Sequence, residues 1–214
     1  MNDAALEARI EQRARACGIE LPAVGAAALA LHARRVLEAA PGLKLTAIRE
    51  PEEFVERHIG ESLEGAALLE AGAEGPLLDL GSGNGYPGVP LAITRPALRL
   101  VLAESSQKKA AFLAGVIREL PIAGARVMCA HVERADDLAT LAPLRALVTR
   151  AVGGWERIVP RLASRLAAEA HVLLWAGADA EAVIARAAWS KLVLVDRRAL
   201  PGRDRSWIWH LRPV

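Results

Sequence analysis

The chain has 214 residues, enough for one α/β domain with a modest extension, and its net charge of +2 neither demands nor excludes a polyanionic partner. Hydrophobic residues make up 53 % but aromatic ones only 4 %, so the core must be built largely from Ala, Leu and Val. The longest apolar run, Leu21 to Leu31, is too short and too rich in Ala and Gly to span a bilayer.

Residues 3–17 and 22–39 read as amphipathic helices separated by a break at Gly18 and Pro22. Asp3, Glu7 and Glu11 are interspersed through the first, unlike a signal peptide. Pro51-Glu52-Glu53 is a helix-start signature, proline in the first turn with acids beside it, and the helical pattern runs intermittently to about Leu69. Ala71 to Pro76 is a turn-rich hinge. The expected division is a helical extension over 1–72, packed on a catalytic domain over 73–214.

Beyond the hinge the period changes. Strands are expected at 77–80, 98–104, 125–130, 145–149, 170–175 and 191–196, with helices at 107–120, 155–168 and 179–189 between most of them. This alternation implies βαβ units and a parallel sheet covered on both faces. Residues 206–211 follow a tight Pro201-Gly202 turn and should pair antiparallel with 191–196, giving a mostly parallel, seven-stranded, Rossmann-like α/β sheet. Cys17 and Cys129 have no metal-ligand spacing; Cys129 lies in an apolar strand pattern and reads as a core thiol of a reduced, cytoplasmic protein.

The richest segment is Leu77-Leu78-Asp79-Leu80-Gly81-Ser82-Gly83-Asn84-Gly85-Tyr86-Pro87-Gly88. An apolar strand runs into a turn whose glycines at 81, 83 and 85 let backbone approach a ligand. Gly83 to Gly88 formally matches a dinucleotide loop, whereas Asp79 to Gly85 matches the loop of many S-adenosylmethionine (SAM) methyltransferases. A pyrophosphate requires an open helix N-terminus, and the Asp79 carboxylate would repel it. An ammonium- and sulfonium-bearing cofactor suits that carboxylate better. Glu104, at the end of the next strand, is placed to accept ribose hydroxyls and serves either cofactor.

Downstream, Arg157, Arg161 and Arg165 fall four apart, on one face of the expected helix. They read first as a solvated face and second as a phosphate-tracking stripe. Trp207 and Trp209 alternate in the last strand and should pack on the sheet.

Together these features resemble the RsmG family, also called glucose-inhibited division protein B, the SAM-dependent methyltransferases of small-subunit ribosomal RNA. The resemblance rests on Leu45-Thr46-Ala47-Ile48, Arg57-His58-Ile59, Asp79 to Pro90 with its Tyr86-Pro87-Gly88-Val89-Pro90 continuation, Lys108-Lys109, Phe112-Leu113, Val132-Glu133 and Arg150-Ala151. It implies a class I methyltransferase fold and methylation of a guanine N7 in 16S rRNA. It also implies SAM as cofactor and the small ribosomal subunit or its RNA as partner of a monomer. By the same resemblance Gly81 and Tyr86 contact the cofactor, Val132 and Glu133 hold its adenine side, and Arg150 follows the fourth strand beside it. Arg57 and His58 belong near the cofactor mouth, and Arg150, His58 and Arg57 are the candidates for a catalytic role. The chain departs from the family at Lys44, where Asn is usual, and at Arg134, where an acid is. A further departure is Trp175-Ala176-Gly177, where a Lys-Gly pair is expected. A related methyltransferase acting on another RNA or a small molecule, or a non-catalytic RNA-binding assembly factor, are the competing readings.

Overall fold

A computed structural model of the protein describes residues 2–70, 72–141 and 143–214; Ala71, first residue of the expected hinge, lies outside them. The first N-terminal helix forms where expected, α1 over Asp3–Ala16, while the second, α2 over Gly25–Leu43, begins and ends later than the expected 22–39 and continues through Pro41. The Asn2 side chain accepts the Ala5 N–H and caps α1, whose Leu6, Ile10 and Ala14 bury one stripe. Then α3 (Pro51–Phe54) runs through a π-helical stretch, Val55–Gly60, into α4 (Glu61–Ala66).

Seven strands follow among the described residues: β1 (Gly75–Leu80), β2 (Leu98–Ala103), β3 (Arg126–Met128), β4 (Leu144–Arg150), β5 (Leu166–Gly177), β6 (Leu192–Ala199) and β7 (Ser206–Pro213). Between them lie α5 (Gly88–Thr94), α6 (Gln107–Glu119), α7 (Trp155–Leu162) and α8 (Ala180–Ile184). The sheet order is β3-β2-β1-β4-β5-β7-β6. β1 pairs in parallel with β2 on one side and β4 on the other, so the chain reverses direction across the sheet at β1 and β4. Ligands of such sheets bind outside the strand ends at that reversal. β7 inserts antiparallel between β5 and β6, adding a partner to the expected β6 pairing.

Because strand side chains alternate, two cores form. Leu77, Val148, Leu173 and Ile208 face a core shared with α1, α2, α5 and α6, so the N-terminal helices and the sheet bury one continuous apolar surface. Leu78, Leu147, Leu174 and Trp209 face the other, under α7 and α8. Among the described residues no helix is long and apolar enough to cross a membrane.

Three local expectations are corrected. The helix expected over 155–168 ends at Leu162, and residues 163–165 form a single tight turn. From Leu166 the Ala-rich segment is a strand, since pairing with β4 and β7 outweighs alanine's helical preference. The helix expected over 179–189 is broken by extended backbone at Arg186. Cys129 is exposed rather than buried, because the edge strand β3 stops at Met128.

Candidate active site

At the reversal point the β1–α5 loop and the end of β2 line a cavity of about 490 Å³. Gly81, Gly83, Tyr86, Glu104, Arg57, His58 and Arg150, widely spaced in the chain, all stand in its wall. Gly81 and Gly83 both have positive φ, but for different reasons. A Cβ on Gly81 would run into Val152 Cγ2, so that glycine serves packing. A Cβ on Gly83, at φ +55°, would meet only the Gly81 carbonyl oxygen, at an ordinary contact distance of 3.8 Å. The left-handed backbone by itself favours glycine there, and the uncrowded loop leaves room for a ligand to approach it.

Glu104 ties the loop to β2. One carboxylate oxygen accepts the Gly83 N–H at 2.9 Å and the other the Ser106 N–H at 2.7 Å, and each retains a lone pair for a ligand hydroxyl. Asp79 behaves otherwise. It is 1 % exposed, lies outside the cavity wall, and accepts the Gly88 N–H at the start of α5 at 2.9 Å. Burial pushes its carboxyl up to about 7. The α5 N-terminus is thereby occupied by a protein carboxylate, which removes the anion site a dinucleotide would need. Gly85 also lies outside the wall, against His32. Val132 is buried in the second core with Val101 and Ala103, and Glu133 is exposed beside His131.

The opposite wall centres on Arg150, whose Nη2 donates to His58 Nδ1 at 2.7 Å and Nη1 to the Arg57 carbonyl at 3.0 Å. A guanidinium can only donate, so Nδ1 accepts and the imidazole proton sits on Nε2, donating to Thr46 Oγ1 at 2.9 Å. Burial and the Arg150 charge hold His58 far below its ordinary pKa, in agreement with a neutral ring. The π-helical stretch carries Arg57 and His58, and such distortions recur at functional sites because they re-aim side chains.

Sequence reasoning missed Glu61 and Arg203. The nearly buried Glu61 carboxylate accepts from Arg203 Nε at 2.9 Å and lies 3.5 Å from Arg150 and 4.0 Å from Arg57. Glu61's only prior signal was its position four residues after Arg57 on a helical pattern; Arg203, in the β6–β7 turn, had none. With Lys109, four cations then face two carboxylates around one cavity. Tyr86 stacks on His32 with centroids 4.3 Å apart, and its buried Oη has no hydrogen-bond partner among the described residues. Burial raises its phenol well above the ordinary value, so it stays an O–H donor. The Trp175 indole donates to the Glu61 carbonyl at 3.0 Å and packs over Gly65, filling the position where the family resemblance leads one to expect lysine.

A family model described as rRNA small subunit methyltransferase G matches residues 26–197. The chain is 36 % identical over 181 residues to Ribosomal RNA small subunit methyltransferase G of Sorangium cellulosum, covering 83 % of this chain and 75 % of that one. To the protein of the same name from Xanthomonas euvesicatoria it is 39 % identical over 158 residues, covering 72 % of each. The fold is similar to that of MtNAS solved in complex with MTA and tNA, with a TM-score of 0.61 at 14 % identity over 100 % of this chain and 90 % of that one.

Proposed function

Since the chain belongs to the rRNA small subunit methyltransferase G family, we propose that it transfers a methyl group from SAM to the N7 of a guanine in small-subunit ribosomal RNA. It is a SAM-dependent methyltransferase of the Rossmann-like class. The observation that carries the residue-level reading is the cavity itself. Gly83's bare backbone, Glu104's remaining acceptors and Tyr86 stand together in its wall, a set that fits a polar nucleoside lying on a glycine loop. In this reading Gly81, Gly83, Tyr86 and Glu104 form the cofactor cradle.

SAM brings a methyl group already activated by its sulfonium. Guanine N7 carries an available lone pair at neutral pH, so the protein need not remove a proton and its task is positioning. The wall agrees with that division of labour. His58 has both ring nitrogens committed to Arg150 and Thr46, so it acts as a positioning residue for Arg150 rather than as a base. Arg150, fixed by His58, the Arg57 carbonyl and Glu61, holds a cationic donor set at the mouth. Arginine is a frequent partner of guanine O6 and of phosphate, and either contact orients the base without touching N7 if the arginine approaches from O6.

The decisive experiment supplies labelled SAM with naked 16S RNA, assembled small subunits and transfer RNA, then maps the labelled base. Label on a guanine N7 of the small-subunit RNA is expected. Label confined to transfer RNA, or absent from all three, would refute the reading.

A further inference from the structure

A second cavity, of about 260 Å³, opens at the carboxyl ends of β4 and β5 and shares Ala151 with the wall of the first. Ala151 follows Arg150 directly and holds φ +57°, a left-handed conformation that strains a residue bearing a Cβ and that clusters at functional sites. Trp155 contributes to the cavity from the start of α7, and the buried Trp189 meets it edge-on, with centroids 5.7 Å apart and planes at 68°. That contact fixes the plane of the Trp155 ring. Two other polar side chains of the wall are committed elsewhere. Thr149 donates to the Leu80 carbonyl at 3.1 Å and Trp175 to the Glu61 carbonyl at 3.0 Å. Asp179 differs. It stands at the N-cap of α8, yet its exposed side chain makes no capping hydrogen bond and lies in the cavity wall.

We infer that this cavity receives the acceptor base, with Trp155 as stacking platform and Asp179 as the group that reads the base as guanine; the inference rests on the methyl-transfer reaction assigned above. The chemistry discriminates well. Guanine's Watson–Crick edge presents N1–H and N2–H side by side, two donors matching the two oxygens of one carboxylate. Adenine presents an acceptor at N1 and would leave the carboxylate facing a lone pair. Guanine N7 lies on the far edge of the ring system, so a base held by Asp179 keeps its nucleophilic lone pair unengaged. A site built to hydrogen-bond a donor rejects analogues lacking it more strongly than an apolar pocket can.

The test uses small subunits reconstituted with 16S rRNA carrying either guanosine or inosine, which lacks only the 2-amino group, at the mapped position. Wild-type protein is expected to prefer guanosine in kcat/KM by about 10-fold, the loss of one charge-assisted hydrogen bond. Asp179→Ala should lower kcat/KM on guanosine about 10- to 100-fold and on inosine less, so that the preference shrinks, while calorimetric SAM affinity stays unchanged. Wild-type kcat/KM on guanosine in the variant, or an equal loss on both substrates, would overturn the assignment of Asp179. Failure of the wild-type protein to methylate guanosine at all would overturn the underlying reaction, and this inference with it.

Discussion

At the scale of single residues, the loop glycines separate into two that packing requires and one favoured only by its left-handed backbone. Gly81 makes room for Val152 and Gly85 for His32, whereas a Cβ on Gly83, at φ +55°, would meet only the Gly81 carbonyl oxygen, without crowding. Gly83→Val should therefore fold, at a cost of about 1–2 kcal/mol for placing a β-branched residue in left-handed backbone. SAM binding by calorimetry should be lost, because the isopropyl group would project into the cavity. A folded variant with wild-type affinity would show that no ligand lies on this loop. Glu104 carries a double duty that the sequence did not disclose. Its carboxylate anchors the Gly83 and Ser106 amides as well as facing the cavity, so truncating it loosens the loop in addition to removing acceptors. The Asp79-Glu104 pair was visible in the sequence as two strand-end acids. Only the fold distinguishes their environments, one sealed against α5 and the other reaching the cavity wall.

Among the elements, α7 shows how a regular spacing can mislead. Arg157, Arg161 and Arg165 form a stripe only if the helix continues, and it stops at Leu162. Arg165 is turned back to donate to the Leu138 and Leu141 carbonyls and so serves structure. Arg186, from beyond α8, joins Arg157 and Arg161 around a cavity of about 360 Å³ that also touches Trp189. Changing Arg157, Arg161 and Arg186 together to Gln should weaken RNA binding. It should also reduce the slope of log affinity against log salt by up to about two, at roughly 0.7 per single-strand phosphate contact. An unchanged slope in the folded variant would return these side chains to ordinary solvated surface. The π-helical stretch over Val55–Gly60 is the converse case. The Arg57-His58 pair was legible as a motif, but the altered winding that brings the His58 ring and the Arg57 carbonyl to Arg150 has no signature in residue type.

For the whole molecule, the buried histidines set the response to acid. His32, His58, His171 and His210 all have pKa values lowered by burial, His32 and His171 to about 4. Arg212 donates to His171 Nε2, so His171 must donate from Nδ1 to His210 Nε2, a chain of neutral rings linking β5 to β7. Groups with depressed native pKa leave the unfolded chain binding more protons, so stability is lost as pH falls below about 6.5. Asp79 acts in the opposite sense. Its carboxyl is raised to about 7, so its contribution is greatest below the unfolded value near 4 and declines as pH rises to 7. The histidines outnumber it, and urea midpoints should fall steadily from pH 7 to pH 4; a midpoint that rises over that range would contradict the neutral-ring assignments. Asp79→Asn keeps an acceptor for Gly88 and should make the acid-side loss steeper. The sequence by itself determined the sheet's alternation, the glycine loop with its two strand-end acids, and the motifs that mark the family, because these depend on local periodicity and on residue types that backbone geometry demands. Tertiary structure alone decided that Glu61 and Arg203 join the site and that Trp175 fills the space over Gly65. It also decided that Arg165 leaves the arginine stripe for Arg186, and that Asp179 faces a cavity instead of capping its helix. Those outcomes depend on which distant segments the sheet order brings together, and contacts between residues up to about 140 positions apart leave no periodic trace in a chain.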